Sequence, residues 1–453
     1  MSFITPAFLV FFILFLLSGS LIQKFFGDRA FRIYLLAADF VFYSYTDYRF
    51  SFLLLFMTVS VYLCGLKAEK KPFFYLGIAI PVVLLGFFKY CNFFLKTAGF
   101  STLNIILPLG ISFYSFEAIS YLCDIRRNRI GAEKDLIMFA SYLCFFPNII
   151  SGPIVRVGDL LEQFKENRKI SLRNIETGIQ IMAIGYFKKM VIADRIAVFV
   201  NDVYAAPKAF SRLTIAFALL SYSLQIYMDF SGYSDIAIGI SKCLGYDLKK
   251  NFDLPYLSGS VTEFWRRWHI SLSSWFRDYV YIPLGGNRRG KTRQYLNLLI
   301  VMGLSGIWHG ADWTFLLWGL INGLLMCLER PLFSAIQGIP AVLRKIIVYI
   351  LISATWVFFR ADSFVQVKDI FTALFTAHQG IFQPYLWSFS GFLMSFLYLL
   401  LIAWKKNENR LYDGYYLLQD LHTAKGLTLF CIFVGLLICL AYTAGNPFVY
   451  FRF

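Results

Sequence analysis

Charge and histidine are scarce in this sequence. Only 15% of its 453 residues are charged, and there are four histidines. A soluble domain carries about 25% charged and about 45–50% apolar residues. Here the apolar share is 58% and the mean hydropathy is +0.62. The apolar residues come in long runs, which argues against a soluble protein with a greasy core. The eight cysteines (Cys64, Cys91, Cys123, Cys144, Cys243, Cys327, Cys431 and Cys439) form no CxxC pair, and most lie inside apolar runs. They read as small hydrophobes, not as a disulfide framework or zinc site. No GxSxG elbow, HExxH or Walker loop occurs, so hydrolase, zincin and nucleotide-motor readings lack support. No metal and no bound cofactor are expected. Internal repeats, low-complexity segments and long linkers are also missing, and the chain 1–453 reads as a single membrane domain. Positive charge is missing before the first apolar stretch, which reads as a retained helix and not a cleaved signal.

What is present is a succession of membrane-length apolar runs. A hydrocarbon core about 30 Å thick needs about 20 apolar residues as helix. Candidate spans are 5–23, 33–47, 51–66, 73–90, 105–123, 174–200, 213–241, 295–309, 312–328, 346–361, 388–404 and 425–443. The expected fold is an all-α polytopic membrane protein with about 11–12 transmembrane helices. The run 136–154 contains Pro147, Gly152 and Pro153 and reads as a re-entrant element. Irregular backbone at membrane depth needs protein or a water-filled cavity around it. The net charge of +16 falls between the apolar runs, as basic cytoplasmic loops do, and is not read as a nucleic-acid surface. Lys24/Arg29/Arg32, Lys67/Lys70/Lys71, Arg126/Arg127/Arg129, Lys249/Lys250, Arg344/Lys345 and Lys405/Lys406 would share the cytoplasmic side, leaving both termini outside.

Two histidines lie in patterned surroundings. His309 sits in GLSGIWHGADW, between apolar helices, with Gly303, Ser305, Gly306 and Gly310 permitting close approach of backbone or substrate. An ionisable side chain at such a place is a functional candidate, and imidazole moves protons near neutral pH. A packed, hydrogen-bonded histidine fits the spacing equally well. His269 sits in TEFWRRWHISLSSWFRDY, which reads as an amphipathic surface helix. Composition alone favours an interfacial anchor. The functional alternative is a platform for an anionic donor, since Arg forks match phosphate. Arg288, Arg289, Lys291 and Arg293 follow a Gly285-Gly286 pair that could offer backbone N–H groups, although Gly-Gly usually marks a turn. His378 and His422 read as surface residues. Lys188, Lys189, Asp194, Arg195, Asp229 and Asp235 interrupt apolar segments, so they face a cavity or each other. They also keep a transporter as a rival class.

The stretch FWRRWHISLSSWFRDYVYIPLGGNRRG (264–290) and the later IWHGADWTFLLWG (307–319) resemble the signature of the membrane-bound O-acyltransferase superfamily, nearest to the membrane subunit of bacterial alginate or peptidoglycan O-acetyltransferases. PLGISFYSFEAISYLCD (108–124), FFPNIISGPIVR (145–156), GYFKKMVIADR (185–195), QIYMDFSGYSDIAIG (225–239), WVFFRADSF (356–364) and the terminal FVYFRF (448–453) are familial too. The resemblance implies a ring of tilted helices around a central passage, with interfacial and re-entrant helices and a motif-bearing catalytic core at 105–330. It makes His309 the catalytic residue. His269 aligns with a second family position, occupied by His or Asn, in a supporting role. Arg266, Arg267 and Arg277 would hold the phosphates of a cytoplasmic acetyl thioester such as acetyl-CoA, and Trp308, Trp313 or nearby N–H groups would steady the oxyanion. The implied setting is the bacterial inner membrane, amid its lipids. The implied partners are an extracytoplasmic acetyltransferase resembling SGNH hydrolases and a surface polysaccharide acceptor. D-alanyl transfer to teichoic acid is the alternative within the family.

Overall fold

The computed structural model describes residues 1–150, 152–332, 338–382, 386–406 and 418–442. Helix dominates throughout, and among the described residues the β pairing is limited to one isolated bridge between Phe210 and Ile381. Helices satisfy their own backbone groups, which lipid cannot do for them. Among the described residues, four helices are long and apolar enough to cross a membrane: Pro6–Ser44, Lys71–Thr97, Arg212–Cys243 and Ala341–Arg360. Five shorter apolar ones accompany them. Their outer faces expose Leu14, Leu17, Val83 and Ile350, the pattern of lipid-facing surface. The terminal FVYFRF lies outside the described residues.

The chain forms two compact units, Met1–Met182 with Ile236–Lys249, and Ala183–Asp235 with Lys250–Phe453. In the first, the runs expected as separate helices at 5–23 and 33–47 form one helical stretch, Pro6–Ser44. Its 39 residues would reach about 58 Å, nearly twice a hydrocarbon core. Gly27, with φ 83° and ψ 178°, breaks it into two. On either side of Gly27 the chain is helical, with no Pro to interrupt it. The helix expected from 105 begins only at Ile111, after Pro108 and the left-handed Gly110.

The proline-broken stretch is buried among protein, as its composition requires. Leu136–Leu143 and Phe146–Ile149 are short helices, the first capped by Asp135, whose carboxylate accepts from Ile137 N at 2.8 Å. Side chains replace the missing ladder. Asp39 accepts from Phe146 N at 2.8 Å, and Glu117 accepts from Val155 N at 3.0 Å and from the Asn148 amide.

In the second unit, the interrupting charges meet each other. The run expected as one helix over 174–200 contains a π-helical stretch, Phe187–Ala193, which carries both lysines. Lys188 pairs with Asp235 at 2.5 Å, and Lys189 with Asp194 at 2.8 Å and Asp229 at 2.6 Å. All five are buried. Burying a charge is costly unless it is paired and hydrogen-bonded, so these pairs are what let charge sit in an apolar segment.

Candidate active site

The segment expected as one amphipathic surface helix is two short helices with a break between them. Val261–Arg267 starts at Ser260, whose hydroxyl accepts from Glu263 N at 3.0 Å, while Glu263 accepts from Gly259 N at 2.8 Å. This is a reciprocal cap. Trp268 is then extended, His269 is left-handed (φ 44°, ψ 56°), and Ile270–Phe276 resumes the helix. The neighbouring loop closes the break: Asp253 N donates to Arg267 O at 3.0 Å, and Ile270 N to Asn251 O at 2.9 Å. The reversal turns the imidazole inward, and His269 is only 1% exposed. It is therefore no interfacial anchor. Its Nδ1 lies 3.2 Å from Asn251 Oδ1, and its ring packs edge-on against Phe230 at 4.7 Å. This loop histidine lies outside the spanning helices, and burial pushes its imidazole down to about 3.

His309 ends the helix Lys291–His309. The chain turns at Gly310, and Asp312 caps the next helix, Trp313–Glu329, by accepting from Thr314 N at 3.0 Å. The two helices touch through glycines. A Cβ on Gly306 would lie 2.2 Å from Phe315 O, and one on Gly319 would lie 2.2 Å from Met302 O. That close crossing sets the His309 ring among Trp308 (5.0 Å), Trp318 (5.3 Å) and Phe359 (5.5 Å). The two imidazoles, 40 residues apart in sequence, have centroids 6.1 Å apart.

Near them is a cavity of about 570 Å³, which neither histidine lines. Its walls carry Arg266, Arg277 and Arg330, with Trp265 and Ser305 among the other lining residues. Ser305 is about one helical turn before His309, and Trp265 packs on Trp318 at 5.5 Å. Thr262 is tied through its N–H and hydroxyl to Glu329 at 2.9 and 3.0 Å, which brings Arg266 and Arg330 to one wall. Arg277 is held by Asp278 at 2.8 Å. Among the described residues, Arg266 and Arg330 make no ion pair, so two guanidinium charges face this space uncompensated.

The expected donor residues separate. Arg266 and Arg277 line the cavity, whereas Arg267 pairs with Glu263 at 2.6 Å and does not. Trp308 lies against both histidines. Trp313 is 46% exposed at the start of its helix and does not line the cavity. Trp265 does line the space, and its buried indole N–H has no acceptor among the described residues. Gly285 and Gly286 do not offer N–H groups to a phosphate. Theirs go to Ile282 O (3.0 Å) and Tyr281 O (2.9 Å), in a turn whose φ of 106° and 56° suits glycine. Arg330 and Asn251 were not foreseen. Arg330 follows an apolar run and reads as its solvent-facing end, and Asn251 sits in a charged loop without periodicity.

Residues 40–365 match the membrane-bound O-acyltransferase family. The chain is 38% identical over 373 residues to a probable alginate O-acetylase AlgI of Pseudomonas putida, covering 77% of this chain and 76% of that one. It is 37% identical over 375 residues to a peptidoglycan O-acetyltransferase of Helicobacter pylori, covering 73% and 71%. A teichoic acid D-alanyltransferase of Bacillus subtilis is 28% identical over 281 residues, covering 60% and 71%.

Proposed function

Because the chain belongs to the membrane-bound O-acyltransferase family, and so is a multi-pass membrane acyltransferase, we propose that it moves an acetyl group from a cytoplasmic thioester to a bacterial surface polysaccharide. The observation that carries this reading is a pair of buried histidines close to an arginine-walled cavity, with Ser305 and Ile270 of their own helices among its lining residues. Two unpaired guanidinium groups suit a phosphate-bearing donor such as acetyl-CoA. His309 is the proton acceptor. The acceptor oxygen attacks the thioester carbonyl carbon and its proton passes to the imidazole. The carbon–sulfur bond then breaks and the proton is returned to the departing sulfur. The Trp265 indole N–H is the available donor for charge on the carbonyl oxygen.

The acceptor side follows the relatives, whose names give alginate and peptidoglycan at nearly equal identity. The proposed setting is the inner membrane, with delivery through an extracytoplasmic partner resembling SGNH hydrolases. Donation of D-alanine to teichoic acid is the weaker reading, its relatives being 28–29% identical. The deciding experiment measures O-acetyl ester on surface polysaccharide in cells carrying His309→Ala, at matched membrane protein. Loss of ester is expected, and unchanged ester refutes the reading.

A further inference from the structure

The side-chain amide of Asn251 has its two ends in two environments. Its Oδ1 lies 3.1 Å from Ser271 N, 2.9 Å from Ser271 Oγ and 3.2 Å from His269 Nδ1. A backbone N–H only donates, so the amide atom facing it is the oxygen, and a flipped amide would set donor against donor. An amide oxygen has no proton to give. The proton shared with His269 therefore sits on Nδ1, and in a neutral imidazole Nε2 is then the acceptor. The ring is neutral because it is buried.

The other end of the amide agrees. Asn251 is 1% exposed, and its Nδ2 is buried without an acceptor among the described residues. Asn251 lines a small cavity of about 40 Å³, room for one or two water molecules. That cavity is bounded by the buried Lys188–Asp235 pair and by Ser231, whose buried hydroxyl also has no partner among the described residues. A polar space of this size accommodates an amide donor, so neither end of the amide favours the flip.

We propose that Asn251 is a positioning residue that fixes His269 as the Nδ1–H tautomer, leaving Nε2 as a proton or hydrogen-bond acceptor within the site. Its effect on rate rests on the acyl-transfer reading above, and the tautomer itself does not.

The test is magnetic resonance on the full chain, labelled with ¹⁵N and ¹³C histidine, in lipid bilayers at pH 7.5. With four histidines in the chain, His269 is identified by difference against His269→Gln. Wild-type protein is expected to give one His269 species, protonated at Nδ1 and bare at Nε2. Asn251→Leu should give a mixture of tautomers. It should also lower kcat for acetyl transfer about tenfold, the scale of one hydrogen bond, with donor KM unchanged because Asn251 does not line the arginine cavity. Asn251→Asp keeps the acceptor and should keep Nδ1 protonated, and the wild-type tautomer decides the matter if the leucine variant does not fold. A wild-type ring protonated at Nε2, or an unchanged ring in Asn251→Leu, overturns the proposal. The expected tautomer in a protein without acetyl transfer would uphold it and sink the functional reading instead.

Discussion

Replacing Gly306 with alanine would put a methyl group 2.2 Å from the carbonyl oxygen of Phe315 and 3.2 Å from Cα of Gly319. Carbon and carbonyl oxygen settle no closer than about 3.3 Å, so the two helices must part by about 1 Å. Overpacking of this kind costs about 1–3 kcal/mol, which a folded protein survives. The consequence for His309 is larger. It lies three residues further along the displaced helix, and its ring is seated on Trp318 of the helix across the crossing. Misplacing a reacting group by about 1 Å can lower a rate about 10²-fold. Gly306→Ala should therefore reach the membrane at near-normal level yet lose about two orders of magnitude in surface ester formed per unit protein. Gly319→Ala, whose methyl would meet Met302 O at 2.2 Å, should behave the same way. Gly303→Ala is the control. Its methyl meets only the ends of the Leu320 and Leu316 side chains, at 3.3 and 3.5 Å, which can yield, so activity should stay within about twofold. Wild-type ester formation by Gly306→Ala, or an equal loss in Gly303→Ala, would refute the argument.

Other substitutions separate the roles assigned to the site. Arg330→Met should raise donor KM about tenfold or more, the scale of one charge-assisted bond, whereas Arg267→Ala, which breaks a half-exposed pair off the cavity, should change KM little. Steady-state kinetics in nanodiscs reads both, and equal effects would discredit the cavity as the donor site. Trp265→Phe removes the N–H with one edge of a buried ring, so kcat should fall about 10²-fold while the thermal midpoint drops by only a few degrees. An unchanged kcat beside a lowered midpoint would mean that the indole only packs. His269 makes stability depend on pH. Its folded value of about 3 lies below the ordinary 6.5, so the unfolded chain binds the extra proton between the two. The stability is complete above about pH 6.5 and is lost as pH falls toward 3, by about 2 kcal/mol at pH 5. Thermal unfolding at pH 7.5 and pH 5 should show this loss in wild type and a smaller one in His269→Gln. An equal loss would place the titration elsewhere.

The helices were legible because lipid demands long apolar runs, and nearly every run in the sequence became a helix. Their interruptions were less so. Gly27 bends a helix where a loop was expected, and the residues from 105 to Gly110 stay non-helical ahead of a helix that starts at Ile111. His309 stood out in sequence as an ionisable group between apolar helices. The inward turn of His269 did not, since a periodic Arg/Trp pattern describes a continuous helix and one left-handed residue reverses its faces. Arg267 and Trp313 were grouped with the cavity-lining residues because neighbours in sequence share a motif. Neighbours on a helix point about 100° apart, which is why Arg266 lines the cavity while Arg267 turns to Glu263. Arg330 and Asn251 were brought in by tertiary contacts that leave no local pattern.

The left-handed backbone at His269 also limits which amino acids that position can hold at all. A side chain with a Cβ costs about 1–2 kcal/mol there, and a β-branched one is a true outlier. Histidine, asparagine and aspartate are the non-glycine residues that enter this region most readily. The resemblance gave His or Asn for this position, and the backbone asks for the same short alphabet before any chemistry is considered. A saturation library at position 269, scored only for protein reaching the membrane, should recover Gly and Asn well and Val, Ile and Thr poorly. The fold thus filters this position separately from catalysis, and tolerance of Asn there is not by itself evidence about the reaction.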